Sequence, residues 1–213
     1  MTDCDCGTEL DPRSQKSTLL ILLAINGVMF LVEFTTGLIA DSSALLADSL
    51  DMLADATVYA IALYAVGRTS RMKINAAKLS GLFQFLLGSG LLIEIIRRVV
   101  YGSEPVSLLM IVVGFFALVA NVVCLILIAK HRQGEIHMRA SWIFSRNDVI
   151  ANCGVILGGI IVYFTTSHWP DLIIGAVIAI IILRGAWQIH TEAVSEILAL
   201  ENQGKHESSI GKK

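Results

Sequence analysis

The fold class this sequence predicts is an all-α membrane protein, a six-transmembrane-helix bundle with both termini cytoplasmic. Three observations predict it. Of 213 residues, 55% are hydrophobic and 16% charged, with a mean hydropathy of +0.71, whereas a soluble domain carries about 25% charged residues. Six windows of mainly apolar residues have the roughly 20-residue length that crosses a hydrocarbon core. Lys and Arg gather on alternate sides of these windows. The same composition excludes a disordered chain, which lacks this much Ile, Leu and Val. Sixteen basic against eighteen acidic residues, a net charge of −2, leave no basic face, so no nucleic-acid partner is expected.

In chain order, residues 1–17 form a cytoplasmic tail whose Asp3, Asp5, Glu9, Asp11 and Pro12 are too polar for a signal peptide. The six spans are predicted at Thr18 to Ala40, Ala44 to Val66, Ala76 to Val100, Leu108 to Ala129, Ala140 to Thr165 and Leu172 to Ile189. Together they make one transport domain over 18–190, followed by a short cytoplasmic tail at 191–213. Arg13, Lys16, Arg68, Arg71, Lys73, Lys130, Arg132, Arg139, Lys205, Lys212 and Lys213 fall on one side; Arg97 and Arg98 fall on the other. The positive-inside rule makes the first side cytoplasmic. Cys4 and Cys6 lie at the start of the chain; Cys124 and Cys153, inside apolar stretches, read as packing residues, so no disulfide framework is suggested.

A charge near the centre of a membrane helix costs at least about 2.5–3.5 kcal/mol, so intramembrane carboxylates require a partner, a proton or a function. Span two carries Asp48, Asp51 and Asp55, which fall within an arc of roughly 60° at about 100° per residue and form an acidic stripe. A solvated crevice would explain it; a cation site explains it better. Span five adds Asp148, sharing a face with Phe144, Asn147 and Ala151 and flanked by Asn152, while Arg146 projects away and reads as structural. Asn26, Gln84 and Asn121 read as interhelical hydrogen-bonding residues. Glu94 can pair locally with Arg97 or Arg98. Glu33 has no obvious local partner.

With six spans and the run from Gly37 to Asp55, the chain resembles the cation diffusion facilitator family from Thr18 to about Ser195. That family has His or Asp, three residues, then Asp in span two, matched by Asp51 and Asp55. Its span-five motif is His, three residues, Asp, where this chain has Phe144 and Asp148. Asn121 and Glu33 also look like family positions. Phe144 cannot ligate a metal, so Asn147 is the first substitute as fourth ligand, with Asp48, Asn152 or water as alternatives. The resemblance implies no enzyme and no resident cofactor. It implies an efflux transporter of the cell (inner) membrane that exchanges a divalent metal for protons. Zn²⁺ ranks first with Cd²⁺ as companion, from family frequency and because zinc outcompetes manganese for most ligands; Mn²⁺ or Fe²⁺ rank second, because an oxygen-rich site suits the harder ions. The family's metal-binding, dimerising cytoplasmic domain is not expected in the tail after span six, so a homodimer would form through the spans. Span three, with Gly81, Gly88 and Gly90, is the candidate interface. Cys4 and Cys6 could capture metal but read better as ordinary thiols, and His131 and His137 as solvated loop histidines. The rival readings are a non-transporting metal sensor and an intramembrane aspartyl protease.

Overall fold

The computed structural model describes residues 12–65, 70–129 and 136–210, and among them every regular element is helical. Six helices follow one another: α1 (Pro12–Ile39), α2 (Ser43–Ala65), α3 (Ser70–Tyr101), α4 (Ser107–Ala129), α5 (Ile136–Thr165) and α6 (Trp169–Ile210). Five contain stretches long and apolar enough to cross a membrane: Lys16–Ile39, Ala77–Tyr101, Ser107–Ala129, Asp148–Thr165 and Trp169–Ser195. The remaining helix, α2, has the length, 23 residues, but any span-long window of it includes Asp48, Asp51 and Asp55. The chain is therefore a multi-pass integral membrane protein with an all-α bundle. Its outward face carries the exposed apolar side chains that lipid accepts, such as Leu31, Ile93, Phe116 and Phe164.

Four boundaries differ clearly from the sequence expectation. Helices α1, α3 and α5 start earlier than Thr18, Ala76 and Ala140, at Pro12, Ser70 and Ile136, and α6 runs without a break through Ile210. The segment predicted as a short tail is thus largely helical. At about 1.5 Å per residue, the 42 residues of α6 reach about twice the roughly 30 Å of a hydrocarbon core.

Helix α2 touches all five others, and the most extensive pairings are α1 with α2, α4 with α5 and α3 with α6. Two apolar clusters bracket its middle. Toward the α1–α2 turn, Ala40 of the turn itself and Leu45, Leu91, Met110, Val155 and Leu172 bring helices α2 to α6 together. Toward the end where α1 begins and α6 ends, Leu19, Leu22, Tyr59, Cys124 and Ile128 join α1, α2 and α4.

The α1–α2 turn is tight. Asp41 adopts a positive φ of 48°, and the Ser42 amide closes back on the Gly37 carbonyl at 3.0 Å. A Cβ on Gly37 would stand 3.0 Å from the Leu46 nitrogen, so the crossing of α1 over α2 depends on a residue without one. The α3 glycines serve this chain's own packing: a Cβ on Gly81 would press on Ile189, and one on Gly88 would come within 2.8 Å of Leu183. Both face α6, which corrects the expectation that they supply a contact between protomers; Gly90 has open space around it.

Candidate metal site

Between the two apolar clusters lies a polar layer. Asp48 is 1% exposed, Asp55 6% and Asp148 8%, while Asp51 is half-buried. The stripe predicted on α2 therefore faces the interior. The Asp148 carboxyl reaches it from α5, within hydrogen-bonding range of the carboxyls of Asp51 and Asp55. Among the described residues, no three His, Cys, Asp or Glu side chains are arranged around a single ion. The helix explains why: Cβ atoms three or four residues apart stand about 5–6 Å from one another, so these carboxyls must turn inward to meet at one point. Asp148 on the facing helix gives them a common direction in which to turn.

Arg146 is exposed while Asp148 is buried, so the two side chains leave α5 on different faces, as their spacing predicts. The side chains of Phe144, Asn147 and His137 lie outside the described residues, as do Cys4, Cys6 and His131. Of Asn147, the expected fourth ligand, the structure describes only its helical backbone position beside Asp148.

Two side chains partner the stripe: Tyr59, which sequence reasoning missed, and Asn152, which it placed on the flank of Asp148. The Tyr59 hydroxyl donates to Asp55 Oδ2 at 3.2 Å; it stands four residues further along the same face of α2, a spacing that could have revealed it. Asn152, completely buried, donates through Nδ2 to the Asp148 carbonyl at 2.8 Å and toward Asp48 Oδ1 at 3.4 Å. Asn26 joins helices as expected, donating to the Leu22 carbonyl at 2.9 Å and toward Cys124 Sγ at 3.8 Å. Gln84 packs its amide against Gly185 of α6. Cys124 is buried as a packing residue, but Cys153 is exposed on the outside of α5, contrary to its expected packing role.

Asp171 was also missed. It is 0% exposed near the start of α6 and accepts from the Ser42 hydroxyl at 2.6 Å, the Ser43 amide at 2.7 Å and the Ala44 amide at 3.0 Å. The Ser42 hydroxyl accepts in turn from the Leu45 amide at 3.1 Å. These amides open α2 and have no partners within it, so a carboxylate from α6 caps the helix that carries the stripe. Gly175 lets the two backbones meet: its Cβ would stand 2.9 Å from the Ser43 carbonyl oxygen. Arg98 pins the same turn from α3. It pairs with Glu94 at 2.9 Å and Asp41 at 3.0 Å and donates to the Asp41 carbonyl. Asp41 Oδ2 then accepts from the Glu104 amide at 2.9 Å. The only sequence signal for Asp171 was an isolated carboxylate beside Pro170 at a span boundary.

Residues 19–198 match the cation efflux transmembrane domain family. The chain belongs to that family. Among curated cation efflux proteins, it is 26% identical to the metal cation efflux system protein CzcD of Cupriavidus metallidurans, over 88% of this chain and 63% of CzcD. It is 28% identical to the zinc transporter ZitB of Yersinia pseudotuberculosis, over 87% and 64%, and 23% identical to a cadmium, cobalt and zinc/H⁺–K⁺ antiporter of Bacillus subtilis, over 58% and 40%. The chain thus spans a little under two thirds of the length of CzcD and ZitB.

Proposed function

We propose that this cation efflux protein exports a divalent metal ion across the cell membrane, zinc first with cadmium as companion, in exchange for protons. Both chain ends would face the cytoplasm. The observation that supports the reading is that Asp55 and Asp148 are buried and Asp51 half-buried in one polar layer bracketed by apolar clusters, as electrostatic neighbours of one another. Asn147, one residue before Asp148 on α5, is the proposed fourth ligand. Three carboxylates at membrane depth repel one another in a low dielectric, so the empty site holds protons that a doubly charged ion displaces. Metal binding then releases protons, and alternating access of the site to the two sides converts that release into exchange. The names of CzcD, ZitB and the Bacillus antiporter agree with metal efflux, zinc and proton exchange respectively.

The test is flux: purified protein in vesicles with an imposed pH gradient should move Zn²⁺ against protons. Metal binding without flux would support a sensor instead. Cleavage of membrane peptides without metal dependence would support the protease.

A further inference from the structure

The mid-membrane layer contains more acceptor oxygens than the proposed ligands use. Glu33 of α1 is 0% exposed, and neither carboxyl oxygen has a hydrogen-bond donor. Asp48, 1% exposed, has one oxygen without a donor, and the other takes only the long 3.4 Å contact from Asn152. The Asn152 side-chain amide oxygen Oδ1, also completely buried, is unpartnered. Glu33 and Asp48 nevertheless bring their carboxyl groups within reach of each other.

Among the described residues, no ion pair reaches Glu33 or Asp48. Helix α4, packed on α1, has no charged residue, and the charged groups facing Glu33 from α2 are Asp48 and Asp51. Arg98 is committed to Asp41 and Glu94, and Arg146 is exposed. Two carboxylates held together away from water, without a counter-charge, are too costly to persist bare.

We propose that Glu33, Asp48 and Asn152 form a second, oxygen-only cation site, separate from Asp51, Asp55 and Asp148 and closer to the α1–α2 turn. Asp48 precedes Asp51 by three residues and Asp55 by seven, about 4.5 and 10 Å along the helix axis, so the second site adjoins the first on its side nearer the α1–α2 turn, in series along the route an ion would take. The chemistry shared by its occupants is a compact positive charge taken by carboxyl and amide oxygens. A proton bridging Glu33 and Asp48 and a divalent ion from the stripe both satisfy it. The inference rests on the exchange reading for its role, but not for the site's existence.

Glu33→Gln removes the charge with little change of shape. Calorimetric Zn²⁺ titration of the purified wild type and this variant, in buffers of different ionisation enthalpy, counts both ions and protons. A metal occupant gives two ions per chain in the wild type and one in the variant. A proton occupant leaves one ion in each and stays in place, and is read instead as an infrared protonated-carboxyl band that disappears in the variant. Unchanged ion counts together with an unchanged protonated-carboxyl band in a folded variant would overturn the site. So would complete loss of Zn²⁺ binding, which would make Glu33 a ligand of the first site. Asp48→Asn should reproduce the change from the other side of the site if Glu33→Gln fails to fold. A wild type that binds no divalent ion defeats the exchange reading alone. Infrared spectra of metal-free protein then decide the second site: a protonated-carboxyl band that disappears in Glu33→Gln supports it, and its absence overturns it.

Discussion

Asp171 and Glu33 are both acidic and both 0% exposed, yet their surroundings are opposites. Asp171 meets a hydroxyl and two amides at 2.6–3.0 Å, at the positive end of α2. Glu33 meets another carboxyl and no donor. Carboxylates around the turn are neutralised by permanent protein groups and hold helices in place. Those of the middle layer have only the Tyr59 hydroxyl on Asp55 and the long Asn152 contact on Asp48, too little to balance their charge, which leaves the balance to something that can depart. Burial alone therefore does not distinguish the proposed transport residues; burial without enough resident donors to offset the charge does.

The widest separation between the regions should appear in metal flux. Asp51→Ala, Asp55→Ala and Asp148→Ala should each abolish it, because each deletes a bond and unbalances the charge around a divalent ion, while thermal unfolding in detergent stays cooperative. Substantial transport by any one of the three variants would break the assignment of the middle layer. Asp171→Ala should behave in reverse, lowering stability by about 3 kcal/mol or more as three donors lose a charged acceptor. Any fall in Zn²⁺ binding should then follow the folded fraction. Full stability of this variant would show that the capping contact contributes little.

A smaller effect sharpens the middle layer itself. Phe144 stands one helical turn before Asp148, where an imidazole would point along the same face. Phe144→His should raise preference for Zn²⁺ over Mn²⁺ by on the order of tenfold, since nitrogen ligands favour zinc. Competition titration measures the ratio, and an unchanged ratio would remove this face of α5 from the site. The smallest effect belongs to Arg97, whose 2.6 Å pair with Glu94 is exposed. Arg97→Ala should leave the melting temperature unchanged, because such pairs are weak in water. Arg98→Ala, which uncouples α3 from the turn, should lower it measurably. Equal effects of the two arginines would deny the turn its special place.

Much of this organisation was legible in the sequence. The membrane class and the helices followed from composition and length, and the stripe from the spacing of Asp48, Asp51 and Asp55 along a helix. Asp148 was visible because an isolated carboxylate in an apolar span demands an explanation. The contacts across helices were not legible. Spacing relates residues on one helix, whereas Asp171 meets Ser42 across 129 positions and Arg98 meets Asp41 across 57. Gly81 and Gly88 misled for the same reason: small residues announce a close helix contact but not which helix supplies it, and here it is α6. The full length of α6 escaped because its polar end carries no apolar signal, while helical hydrogen bonding continues through it.

The acidity of α2 also bears on how the protein is made. On the scale that describes insertion of nascent helices, each aspartate near a helix centre costs roughly 2.5–3.5 kcal/mol, so three of them oppose the entry of α2 as a solitary segment. Its predecessor has no such difficulty: Lys16–Ile39 has a mean hydropathy of 2.0. Only residues 40–42 separate α1 from α2, and their backbone bonds, Ala40 to Thr36 at 2.7 Å and Ser42 to Gly37 at 3.0 Å, are local enough to form while synthesis continues. Insertion of the two helices as one hairpin would offset that cost, with α1 carrying its acidic neighbour in before the later helices enclose it.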